Sequence, residues 1–221
     1  MDEPKQVVRR LLKVAGTTYA AEAGVRISDK PMPLFQLLVL CMLASKPIDA
    51  AIAMRAGHEL FSDGLRTPKS VLDAGRRTMI DAFGRAHYVR YDESSATRLT
   101  EIAQRVVDEY SGDLREIARR SDGDIDAVKR MLKQFKGIGD TGADIYLREV
   151  QDVWTWVRPY FDKRATRAAE ALGLPTDPTK LGALAPGANA RLAAALVRAS
   201  LDDDVRQQIE RGSSASCDDV G

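Results

Sequence analysis

Three observations predict an all-α fold for this chain. Apolar residues recur at three- and four-residue spacing in most segments, most clearly at Ala96, Leu99, Ile102, Ala103, Val106, Val107 and Tyr110. The almost wholly apolar run from Leu34 to Ala44 is long and poor in β-branched residues, so it reads as a helix buried on all sides. The one strand-like alternation, Val153-Trp154-Thr155-Trp156-Val157, is short and lies between helical segments, which favours an extended connector.

The elements follow in order. Val7, Val8, Leu11, Leu12 and Ala15 mark an amphipathic first helix ending near Gly16. Residues 17–32 are mixed, and Gly24, Pro31 and Pro33 break their regularity. After the buried helix, Asp49 to Leu60 reads as the next one. Thr67-Pro68 caps a short helix over Val71 and Leu72, and a second short helix covers Thr78 to Phe83. Gly84 to Tyr91 is a loop rich in bases and aromatics. The stripe from Ala96 to Tyr110 follows it, then a short helix from Leu114 to Ala118. Asp122-Gly123-Asp124 caps a helix carrying Ile125, Val128, Met131, Leu132 and Phe135. Beyond the connector, Asp162 opens a helix through Ala165, Ala168, Ala169 and Leu172 to Gly173. Thr176-Asp177-Pro178 opens a short helix, and Pro186 to about Arg211 is a long final one. Residues 212–221, small and polar, are expected to be disordered.

At 221 residues the chain can bury a real core, as one domain or two interleaved lobes. Its 44% hydrophobic and 29% charged content describe an ordinary soluble globule. The net charge of +1 gives no global pull toward nucleic acid, so any such interface must be a local patch. Cys41 and Cys217 are the only cysteines. That argues against a disulfide framework and rules out a four-thiolate iron–sulfur cluster held within this chain. His58 and His87 show no metal-ligand spacing. With no signal-peptide pattern and no apolar run of membrane-spanning length, a cytoplasmic protein without membrane attachment is expected.

The stretch that carries most information is Phe135-Lys136-Gly137-Ile138-Gly139-Asp140-Thr141-Gly142-Ala143. Two glycines around one bulky apolar residue make a tight turn, and helical spacing on both sides makes it a helix–helix turn. The second helix begins just after Gly139. Its open amides and positive dipole end suit a phosphate oxygen. A plain helix corner would read the same way, so the turn alone does not settle its role.

The hairpin, the spacer, Pro159-Tyr160-Phe161-Asp162-Lys163-Arg164 and the closing Leu172-Gly173-Leu174 together resemble the helix-hairpin-helix base-excision DNA glycosylases, the endonuclease III-like (HhH-GPD) superfamily. Pro33 to Leu38 and Met42 to Asp49 resemble that family's first barrel helix and the loop after it, so the likeness covers about 140 residues. It implies a two-lobed fold. A six-helix barrel lobe, residues 33–150, would end in the hairpin, and residues 1–32 with 151–211 would form a second helical lobe. It also implies a DNA repair enzyme, a monomer, that hydrolyses the N-glycosidic bond of a damaged or mismatched base flipped from double-stranded DNA. A place at the nucleoid goes with that activity.

Asp162 stands at the family's catalytic acid. A fixed carboxylate there stabilises positive charge developing on the deoxyribose and orients water. An N-cap role explains the same residue, and the two are compatible. Catalysis expects Asp162 to face an open cleft within reach of the hairpin, and burial in an ion pair counts against it. The lyase branch carries a Schiff-base lysine where Thr141 stands here, so monofunctional hydrolysis is implied. Gly139 to Tyr146 resembles the mismatch thymine/uracil glycosylases of the superfamily, which implies a mismatched thymine or uracil as the base. A displaced nucleophile such as Lys163, or a non-catalytic DNA-binding scaffold, is the alternative. By the same resemblance Gly137, Ile138, Gly139, Thr141 and Lys136 contact the DNA backbone. Lys46 is either the wedge that fills the gap left by a flipped base or a solvated loop lysine. Tyr146 and Trp154 are candidates for a base pocket, though core packing is the commoner fate of a tryptophan in a connector. No cofactor is implied beyond a monovalent cation at the hairpin carbonyls. Asp140 sits awkwardly beside the phosphate site unless it points away.

Overall fold

The computed structural model describes residues 3–214, with side chains from 3 to 209, and every regular element among them is helical. α1 (Glu3–Ala15) buries Val7, Val8, Leu11 and Ala15. α2 (Tyr19–Glu22) is a single turn in the stretch read as irregular, and Thr18 caps it by accepting from the Ala21 amide. α3 (Pro31–Ala44) buries every residue from Pro33 to Leu43, as its unbroken apolar run requires. α4 (Ala50–Ser62) starts at Asp49, whose carboxylate accepts from the Ala51 and Ile52 amides. α5 (Pro68–Asp73) has a Thr67–Ser70 capping box. α6 (Arg76–Arg85), a 3₁₀ turn (Val89–Tyr91) and α7 (Asp92–Tyr110) follow, then α8 (Arg115–Ser121), α9 (Ile125–Leu132) and α10 (Asp140–Val150). A 3₁₀ turn (Thr155–Val157) leads to α11 (Lys163–Ala171), α12 (Pro178–Ala183), α13 (Asn189–Leu201) and α14 (Asp203–Ser214).

The buried apolar side chains form two clusters. The first runs from Tyr19 to Val157, with α3 as its spine and α4, α7 and α10 packed on it. The second joins Val7, Val8, Leu11 and Ala15 of α1 to Phe161, Ala165, Leu181, Leu192, Leu196 and Ile209, around α13. Both ends of the described chain therefore build one helical group. α10 touches both, packing on α3 and on α13.

Four expectations need correction. The division at residues 32 and 151 shifts, because Tyr19, Ala20, Ala23, Val25, Trp154 and Val157 pack in the first cluster. Glu149 of α10 causes part of this by accepting from the Tyr19 amide (2.5 Å) and the Ala20 amide (2.8 Å). Burial pushes the Glu149 carboxyl above the ordinary glutamate range, against the opposing pull of those two amides. The Val153–Val157 connector closes into a 3₁₀ turn rather than extending. The final helix is two helices, broken at Asp202, whose carboxylate accepts from the Asp204 and Val205 amides and restarts the chain as α14. Of the expected 212–221 tail, residues 212–214 belong to α14, and 215–221 lie outside the described residues.

Candidate functional site

The hairpin is a short, tightly packed turn. α9 ends at Leu132, one turn earlier than its apolar spacing predicts, and Phe135 and Ile138 fold back into the first core. Gly137 has φ +94°, and a Cβ there would lie 3.4 Å from Met42 Cγ and 3.5 Å from Arg98 Cδ. Only glycine holds that backbone without strain. Gly137→Ala should therefore cost about 1–2 kcal/mol, read as a lower urea midpoint with an unchanged slope. A change in slope without loss of midpoint would contradict it. Gly142 lies against Ser45, the residue just past α3, since a Cβ on it would meet Ser45 Oγ at 2.8 Å. The hairpin is thereby pressed onto the loop that follows α3.

No side chain caps α10 at Gly139, so the first amides of that helix stay open to an outside acceptor. Asp140, the first residue of that helix, has its own partner. It pairs with Lys133 at 2.6 Å, and that contact holds its carboxyl below the usual aspartate range. Lys136 pairs with Glu101 at 2.9 Å. Both hairpin lysines thus already hold carboxylates. Lys46 is half-buried, with its ammonium 5.7 Å from the Tyr91 ring centroid, and Arg90 meets the same ring.

Beside the hairpin opens a cleft of about 430 Å³ lined by Thr141, Asp144, Arg148 and Asp162, and by Lys163, Arg164 and Arg167 of α11. Asp162 caps α11, with Oδ1 accepting from the amides of Arg164 (2.8 Å) and Ala165 (2.9 Å). Its Oδ2 accepts from Nη1 of Arg148, and the side chains of Arg148 and Asp162 are only 7% and 5% exposed. The acid lies at the cleft and beside the hairpin, but buried in an ion pair with its oxygens occupied.

Gln151 fixes this arrangement. Fully buried at the end of α10, it donates to the Arg148 carbonyl (2.9 Å) and the Tyr160 carbonyl (3.0 Å), and accepts from the Tyr160 amide (2.9 Å). The Tyr160 hydroxyl donates to Asp144 at 2.6 Å, and Lys129 pairs with the same carboxylate at 2.7 Å. Burial, reinforced by that carboxylate, pushes the Tyr160 hydroxyl far above the ordinary phenol range.

The cations on α11 differ from the rest of this wall. Lys163, Arg164 and Arg167 are exposed, and none makes a side-chain hydrogen bond or ion pair among the described residues. Most other Lys and Arg side chains hold a carboxylate, a carbonyl or a ring. Three unpaired cations over the first two turns of one helix form the local positive patch that the net charge of +1 conceals.

The base-pocket candidates need correction. Tyr146 is completely buried and Trp154 is 3% exposed; they pack on each other in the first core, outside the cleft. Trp154 donates to Asp29 Oδ1 at 3.0 Å and stacks on Trp156. Sequence reasoning missed Arg148 and Gln151. A signal existed, because Arg148-Glu149 sets two charges inside a run that is otherwise apolar from Ile145 to Val150.

Among the described residues no group of three or more His, Cys, Asp or Glu side chains could hold a metal ion, and no helix is long and apolar enough to cross a membrane. No protein-family model matches the chain, and no curated protein matches it.

Proposed function

We propose that this chain binds double-stranded DNA across the hairpin and α11 and hydrolyses the N-glycosidic bond of a damaged or mismatched base, with Asp162 as the acid. The observation that carries the reading is the convergence on one cleft of the hairpin's second helix, Asp162, and the unpaired Lys163, Arg164 and Arg167. Backbone phosphates take the cations and the open amides of α10. The base leaves with the C1′–N electron pair, the carboxylate stabilises the positive sugar, a water oxygen bonds to C1′, and the proton that water loses ends on the released base. Thr141 cannot form a Schiff base, so the product is an intact strand with an abasic site.

One observation favours a second reading. Asp162 accepts three hydrogen bonds and is buried with Arg148, as a purely structural cap would be. On that reading the chain binds DNA without excising a base. A lyase is the third, since Lys163 lines the cleft next to Asp162. The test is a panel of duplexes carrying uracil or thymine opposite guanine, an oxidised purine or pyrimidine, or alkylated adenine. Breaks that appear only after alkali support hydrolysis and name the base. Borohydride-trapped adducts support the lyase. Binding without breaks on any duplex leaves the non-catalytic scaffold.

A further inference from the structure

Arg148 is the one cleft cation that is buried, and it spends a single contact on Asp162. Guanidinium presents five N–H donors in a planar fork, and phosphate accepts two of them side by side. The structure gives the Arg148 side chain one hydrogen bond, from Nη1, although the residue lines a cleft open to solvent. Around it stand Lys163, Arg164 and Arg167, unpaired, while the remaining lining carboxylate, Asp144, is held by Lys129 and Tyr160. The guanidinium therefore keeps donors to spare, and the three cations beside it hold no carboxylate among the described residues. A buried ion pair is close to energetically neutral overall, because desolvation offsets most of its attraction. Moving the guanidinium to another oxyanion leaves the Asp162 carboxylate without its counter-ion, a penalty offset by the charge-assisted contacts of the newcomer with Arg148 and three further cations.

We propose that Arg148 is a phosphate-responsive latch on Asp162. In the free protein its guanidinium holds and covers the carboxylate. In the complex a DNA backbone phosphate, drawn in by Lys163, Arg164 and Arg167, takes over the guanidinium and uncovers the acid. No bond is made or broken. Arg148 is a positioning residue in this scheme, and the inference rests on the DNA reading above. It also reconciles an acid at the cleft with an acid that is occluded, since the covered state belongs to the free protein alone.

Phosphate contacts are counted by salt. Each one contributes about 0.9 to the slope of log affinity against log salt. The test measures binding of an undamaged duplex by wild type, by the double variant Arg148→Gln/Asp162→Asn, by Arg148→Lys and by Lys163→Ala. The double variant removes both charges of the pair and so leaves no buried ion unpaired. If Arg148 reaches a phosphate in the complex, the double variant loses about 0.9 of slope, so its affinity deficit shrinks roughly 3.5-fold between 50 and 200 mM salt. Arg148→Lys keeps the wild-type slope, and Lys163→Ala loses a similar step as a calibration. A double variant with the wild-type slope would overturn the latch, because the pair then stays closed on DNA. The readout needs no base release. Absence of excision with a lowered slope leaves the latch standing and removes the enzyme reading. An unchanged slope with excision does the reverse, and no duplex binding by wild type overturns both.

Discussion

Asp162→Asn should reduce base release by roughly two to three orders of magnitude, the scale of removing one preorganised group from a charge-developing transition state. It should also destabilise the fold. From sequence the exchange looks innocuous, since asparagine is as good an N-cap as aspartate. Its carboxamide oxygen can still accept from the Arg164 and Ala165 amides as Oδ1 does. The buried Arg148 guanidinium is another matter, because it loses its counter-ion in a site where both partners are almost completely covered. Breaking a buried pair from one side costs about 3–5 kcal/mol, most of it the uncompensated charge. For a chain of this length that lowers the melting temperature by about 6–20 °C. Arg148→Gln/Asp162→Asn should recover most of this loss, and a double-mutant cycle on urea midpoints measures the coupling. Loss of base release must therefore be measured below the variant's own transition. Activity equal to wild type in a folded Asp162→Asn protein would remove Asp162 from the chemistry. A melting temperature equal to wild type would mean that Arg148 is solvated, not buried.

Much of this architecture was readable because it rests on local rules. The Leu34–Ala44 run has no polar face to offer solvent, so it had to become a spine, and it did. Gly137, with its positive φ, and Asp124, Asp162 and Asp177, each followed by a helix, mark breaks whose chemistry lies within three residues. Contacts across large sequence separations stayed hidden. Nothing near Tyr19 announces that Glu149, 130 residues away, will hold its amide. Asp202 reads as one more polar residue in a helix until the side chain is seen restarting the backbone. At the site the same division holds. Asp162 could be placed by its cap, but the burial that binds it to Arg148 comes from α10 lying between two cores, which spacing does not encode. The lysines show the converse. Lys136 stood out beside the glycines, yet its partner Glu101 lies on α7, and the cleft's unpaired cations among the described residues are on α11.

The triple variant Lys163→Ala/Arg164→Ala/Arg167→Ala should lose about 2.7 of the salt slope for undamaged duplex, three contacts at about 0.9 each. Its affinity deficit relative to wild type should therefore be about 40-fold larger at 50 mM than at 200 mM salt. Stability should hardly change, because the three side chains are exposed and hold no partner among the described residues, and such substitutions stay within about 0.5 kcal/mol. Lys136→Ala is the contrasting case. Its pair with Glu101 is 63% and 36% exposed, so salt and water weaken it, and the lysine can turn to a phosphate. In doing so it leaves a carboxylate behind at the same surface, so its net contribution should fall below that of Arg164. Anisotropy titrations at several salt concentrations give all of these slopes in one experiment. A triple variant with the wild-type slope would take α11 out of the interface. The hairpin would then bind DNA with lysines that are already neutralised, and the cleft beside Asp162 would have no duplex to face.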